Sequence, residues 1–151
     1  MQNFLEYLNQ SLLFRNFVEV LSGLDNTLLL LIISLPIGFV LSLVFALGRV
    51  SNNKILSKPI AGYIFVIRGT PLLVQIYLVY FGLGSVEFIR ESFLWILLKE
   101  PFWCGVLALT INTVAYGSEI FRGGIQSVTK GQIESGLSLG FNKITLLKKI
   151  I

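Results

Sequence analysis

The sequence has no histidine and a single cysteine, Cys104. Those shortages remove the usual nitrogen and sulfur ligands of a metal centre, any internal disulfide, and a Cys–His or Ser–His catalytic pair. Alone in an apolar run, Cys104 reads as a small packed hydrophobe. Charge is scarce too: 13% of the 151 residues are Asp, Glu, Lys or Arg, against 54% apolar. With a mean hydropathy of +0.80, this is too apolar for an ordinary soluble core. The start, MQNFLEYLNQ, lacks the positive region of a cleavable signal peptide, so the first apolar run is expected to be retained.

What is present is long uncharged runs. Residues 26–48 give 23 without a charge, and 69–86 and 101–118 give 18 each. At about 1.5 Å rise per residue the first crosses a ~30 Å hydrocarbon layer and the other two just reach across it. The reading is an all-α integral membrane protein of one domain, with spans at 25–48, within 59–86 and at 101–121. The net charge of +4 is too spread out for a nucleic-acid patch. Arg49, Lys54 and Lys58 follow the first run, and Arg122, Lys130, Lys143, Lys148 and Lys149 follow the third. The other flanks hold only Arg15, Arg90 and Lys99 against six acids. Basic loops stay cytoplasmic, so the amino terminus is expected outside and the carboxyl terminus inside.

In chain order, Phe4, Leu5, Leu8 and Leu12 recur at helical spacing, which fits either an amphipathic surface segment or an outward extension of the first helix. Asp25-Asn26-Thr27 offers a helix N-cap. Within the first span, Pro36 predicts a kink, and Ser34, Gly38 and Ser42 form a small-residue stripe for another backbone to approach. Residues 59–86 are too long for one upright helix. Arg68-Gly69-Thr70-Pro71 supplies a break, giving a short inner-side helix over 59–67 and a second span from Pro71. Arg68 is either an interfacial anchor or the partner of a carboxylate. Gln75, the strongly polar side chain of that span, serves interhelical bonding or lines a path. Phe88, Phe93, Leu94 and Trp95 suggest an interfacial helix in the outer loop, and Trp103 repeats the anchor.

The third span carries Asn112, Tyr116 and Glu119 on one face, at i, i+4 and i+7. Such a stripe points into protein or water, as a packing seam or as a solute path. Glu119 and Arg122 are spaced to pair. Gly124–Gly131 resembles a phosphate loop superficially but lacks its second Gly and its Ser or Thr after Lys130, so any ATP belongs to another chain. From Gly131 the pattern is helix, turn, helix, with Ile133 and Leu137 on one face and Gly140 ending the first helix.

Two strings then carry a family resemblance: RGTPLLVQIYLVYFGL over 68–83 and LTINTVAYGSEIFRGGIQSVTKGQIESGLSLGF over 109–141. They resemble permease subunits of ABC importers for polar amino acids, of the histidine, glutamine and arginine type. The second contains the cytoplasmic Glu-Ala-Ala…Gly coupling loop, with Glu134-Ser135-Gly136 in place of Glu-Ala-Ala and Gly140 as the fixed glycine. Ser-Gly for the two alanines lowers helix propensity by about 1 kcal/mol at the glycine. The resemblance implies a five-helix permease fold, here incomplete, with three spans and a coupling helix over 131–142. It further implies a bacterial inner-membrane location, a second permease subunit, an ABC ATPase subunit, and an extracytoplasmic amino-acid-binding protein. No cofactor and no enzymatic activity on this chain are expected. Gln132, Glu134, Leu137 and Gly140 are the expected ATPase contact. Arg68, Thr70, Gln75, Asn112, Tyr116, Glu119 and Arg122 are the expected path or packing residues. Because the family continues with two more helices, the chain reads as a fragment, and the rival reading is a non-transporting membrane adaptor or an inactive permease fragment.

Overall fold

The structure, a computed structural model, describes residues 12–142 and 145–146, with side chains from Asn16 onward. The expected amphipathic positions Phe4, Leu5, Leu8 and Leu12, and the basic residues Lys143, Lys148 and Lys149, lie outside the side chains described. Among the described residues all regular structure is helical. The helices are α1 (Leu12–Ser22), α2 (Leu24–Val50), α3 (Lys54–Arg68), α4 (Leu72–Ser85), α5 (Glu87–Arg90), α6 (Trp95–Leu98), α7 (Pro101–Ser127) and α8 (Lys130–Ser138).

Two of them are long and apolar enough to cross a membrane: α2, continuous with α1 from Asn16 to Val50, whose most apolar 18 residues have a mean hydropathy of 2.8, and α7, whose corresponding stretch has 1.3. For the described residues 12–22 the continuity favours the helix-extension reading. The helix start itself differs from expectation. Gly23 occupies the cap position without a side-chain bond, and Asp25 lies inside the first turn of α2. The helix runs on through Pro36.

The core is the seam between α2 and α7. Ser34, Gly38, Ser42 and Ala46 of α2 are buried where that helix packs on α7, and α7, covered by α2 on one side and by α3 and α4 on another, buries Val106, Ala108, Thr110, Val114, Ala115 and Ser118. A Cβ added at Gly38 would lie 2.7 Å from Thr113 Cγ2, so the bare backbone is what lets the helices approach. Gly117 meets Ser42 in the same way from the other side. Ser42 donates to Gly38 O at 2.7 Å and reaches Thr113 O at 3.2 Å, while Phe39 and Phe121 close the seam edge-on at 5.1 Å. Much of the rest of α2 faces outward, with Ile32 and Val40 66% and 61% exposed, as suits a helix bathed in lipid.

The seam also fixes direction. Leu30 lies beside Gly105, Gly38 beside Thr113, and Arg49 beside Glu119, so α2 and α7 are parallel. The chain between Val50 and Pro101 therefore returns along the length of the pair. It does so through α3 and α4, bent by 107° to one another; the two make a third candidate span if the bent pair is one crossing. The helix α3 starts at Lys54, earlier than the Pro59 start expected from sequence. Asn53 caps it, its Oδ1 accepting from Ile55 N at 2.9 Å, and contacts with α2 (Phe45 with Tyr63, Gly48 with Ile60) hold the proline inside it. Contrary to the single interfacial helix expected, residues 87–98 form two short helices, α5 and α6, separated by a turn.

Candidate functional site

The chemistry gathers at the carboxyl-terminal ends of α2, α3 and α7. The break between α3 and α4 falls at the Gly69-Thr70-Pro71 step expected from sequence, with Pro71 extended at φ −62° and ψ 140°. Pro71 lacks an N–H, and the turn leaves the carbonyls of Ile67 and Thr70 facing inward. Gln75 closes this gap. It is 5% exposed, and its Nε2 donates to Ile67 O at 2.6 Å, Thr70 Oγ1 at 2.9 Å and Thr70 O at 3.0 Å. Its Oε1 accepts from Asn112 Nδ2 at 3.0 Å, tying the break to α7. Thr70, Gln75 and Asn112 thus form one hydrogen-bonded latch. Tyr63, which sequence reasoning passed over, adds a second tie from α3 to α7 by donating to Ile111 O at 2.6 Å.

Beside the latch lies an open cavity of about 600 Å³ lined by Arg49, Ile64, Phe65, Arg68, Tyr116 and Glu119. Glu119 and Arg122 pair as their spacing predicts: Nη2 meets Oε2 at 2.7 Å and Nε meets Oε1 at 2.9 Å, a bidentate clasp. Arg122 also donates to Gln126 Oε1. The arginine missed by sequence reasoning is Arg49, whose Nε stands 3.8 Å from Glu119 Oε1 and whose Nη1 donates to Ser57 at 3.3 Å. Its place after the first apolar run marks a topological charge, and nothing local in the sequence announces its approach to Glu119. Arg68 lies over the ring of Tyr116 at 5.3 Å, a cation–π contact, and has no hydrogen bond or salt bridge among the described residues. The polar stripe therefore divides: Asn112 belongs to the latch, while Tyr116 and Glu119 belong to the cavity.

The helix α8 stands apart from both. Thr129 and Gln132 build a capping box, with Gln132 Oε1 accepting from Thr129 N at 3.0 Å and Thr129 Oγ1 accepting from Gln132 N at 3.4 Å. The Thr129-x-x-Gln132 spacing is the sequence signature of this box. Gly140 ends the helix in the left-handed region at φ 79°, and Phe141 N donates back to Gly136 O at 3.0 Å. Glu134 and Gln132 are exposed, and Leu137 and Leu139 are 54% and 74% exposed. No group of three or more His, Cys, Asp or Glu side chains able to hold a metal occurs among the described residues.

Against known proteins, residues 34–151 match the family described as binding-protein-dependent transport system inner membrane component. The octopine transport system permease protein of Rhizobium radiobacter is 45% identical over 139 residues, covering 92% of this chain and 57% of that protein. The nopaline transport system permease protein of Agrobacterium fabrum is 46% identical over 143 residues, covering 93% and 58%. The histidine/lysine/arginine/ornithine transport system permease protein of Escherichia coli K12 is 44% identical over 131 residues, covering 86% and 55%. A crystal structure of an amino acid ABC transporter with histidines superposes at a TM-score of 0.72 with 38% identity, over 91% of this chain and 63% of that one. The chain thus spans a little over half the length of these curated relatives.

Proposed function

This chain belongs to the family of binding-protein-dependent transport system inner membrane components, and from that premise we propose that it is a permease subunit of an ATP-driven importer for polar amino acids. The observation that carries the reading is α8. A short helix that satisfies both its own ends and still exposes Leu137 and Leu139 is built to meet something outside this chain. The partner proposed is an ABC ATPase, contacted by Glu134, Leu137 and the turn at Gly140. Gln132 contributes by fixing the helix start, since its side chain is engaged in the cap. ATP hydrolysis resides on that separate subunit.

The three-span arrangement is part of the proposal. Parallel α2 and α7 require a return crossing, and the α3–α4 pair supplies it. With basic residues clustered after α2 and α7, the amino terminus is outside, and α8 is cytoplasmic. A second permease subunit completes the path, and an extracytoplasmic binding protein delivers the amino acid, in line with the relatives' transport of octopine, nopaline or basic amino acids. On this chain Arg68, Tyr116, Glu119 and Arg122 face or flank the path, while Thr70, Gln75 and Asn112 hold its wall in shape.

The test is a disulfide cross-link in membranes. With Cys104→Ser as background, Leu137→Cys is paired with single cysteines in the groove of the ATPase encoded with it. Cross-linking that changes with ATP is the expected result. A stably inserted protein that never cross-links overturns the coupling role and leaves a membrane adaptor as the reading.

A further inference from the structure

The charges around the cavity do not balance. Three guanidinium groups, Arg49, Arg68 and Arg122, surround one carboxylate, and both oxygens of Glu119 are already held by Arg122. Arg49 Nε is buried with no hydrogen-bond acceptor, standing 3.8 Å from Glu119. Arg68 lies over the face of Tyr116 and feels the Glu119 carboxylate at longer range, without a hydrogen bond to either. A guanidinium fork carries donors that match a carboxylate or phosphate, and a buried N–H without an acceptor is a cost that a bound anion would remove. The cavity is open, and beside Arg68 its lining carries Ala61, Ile64 and Phe65, the last 80% exposed. Cationic donors inside and an uncovered apolar side chain at the mouth match one kind of ligand: an anionic head joined to a hydrocarbon tail.

We propose that the cavity between α2, α3 and α7 binds the phosphate of an anionic phospholipid, with Arg49 and Arg68 on the phosphate oxygens and the acyl chains leaving past Phe65. Basic pockets between membrane helices are the general setting for such headgroups. The cavity shares Arg68, Tyr116 and Glu119 with the path proposed above, so a bound lipid and a passing solute would exclude one another there; the orientation decides only which leaflet supplies the lipid.

The measurement is native mass spectrometry of the full chain in detergent containing equal phosphatidylglycerol and phosphatidylcholine. Phosphatidylglycerol is expected to be retained preferentially, with about a fivefold loss of adduct for Arg68→Gln and again for Arg49→Gln. Lys99→Gln, an exposed charge at the other end of α7, should leave retention unchanged. Arg49 has packing partners, so its variant is scored only if Cys104 stays unreactive toward a thiol dye. Arg68→Gln breaks no hydrogen bond or salt bridge among the described residues and decides the matter alone if Arg49→Gln unfolds. Equal retention of the two lipids, or retention unchanged in Arg68→Gln, overturns the proposal. Displacement of the lipid by inorganic phosphate or by a free amino acid assigns the site to a soluble anion and overturns the lipid source.

Discussion

The α2–α7 seam and the α3–α4 break solve opposite problems. In the seam, two continuous helices meet through backbone and small side chains, and shape does the holding: Gly38 against Thr113, Gly117 against Ser42. At the break the helix is interrupted, carbonyls are freed, and one buried amide, Gln75, satisfies both sides. Lipid offers no hydrophobic drive for helix association, so the first must rely on close packing and the second on complete hydrogen bonding. A seam of this kind fails by becoming too full, and a break fails by losing a donor.

The largest expected effect is on the seam. Gly38→Leu should destabilise the protein by about 1–3 kcal/mol or more, because the added side chain starts where Thr113 already stands. Thermal exposure of Cys104 to a thiol-reactive dye reads this directly, since Cys104 is the sole cysteine and is 1% exposed. An unchanged midpoint would mean that the helices are not in backbone contact. Next comes Gln75→Leu, similar in size but stripped of donors and acceptor, at about 1–2 kcal/mol. Asn112→Ala should cost less, since it removes one bond of the latch and leaves those to Ile67 and Thr70. If Asn112→Ala proved the worse of the two, the break would be anchored from α7 and not by its own amide. The smallest effect marks the contrast from outside both regions. Gly123 has nothing within 4 Å of a built Cβ, so Gly123→Ala should raise the midpoint slightly, by up to about 1 kcal/mol of helix propensity.

How much of this was readable in the chain depends on whether the signal was local. Ser34, Gly38 and Ser42 at four-residue spacing pointed to a close helix contact, and Gly69-Thr70-Pro71 pointed to the break, because both follow from what those residues permit the backbone. The Glu119–Arg122 pair likewise follows from helical spacing alone. The start of α3 did not follow. Pro59 is tolerated inside that helix by packing on α2, which no local rule contains. The π-helical turn at Leu78–Gly82 has no sequence signature, nor does the approach of Arg49 to Glu119 across the seam. Gln75 was recognised as needing a partner, but its partners lie on both sides of a turn whose geometry had to be seen.

The parallel pairing of α2 and α7 has a consequence in time. Ser42 and its partner Thr113 are 71 residues apart, so at a synthesis rate of about 5–20 residues per second α2 waits several seconds before α7 exists. During that wait its hydroxyls would be stranded in hydrocarbon if they depended on the later helix. They do not. Ser34 donates to Leu30 O at 2.6 Å and Ser42 to Gly38 O at 2.7 Å, both within α2 itself. The stripe that later receives α7 is thus a surface the newborn helix can keep in lipid on its own, ready but not sticky.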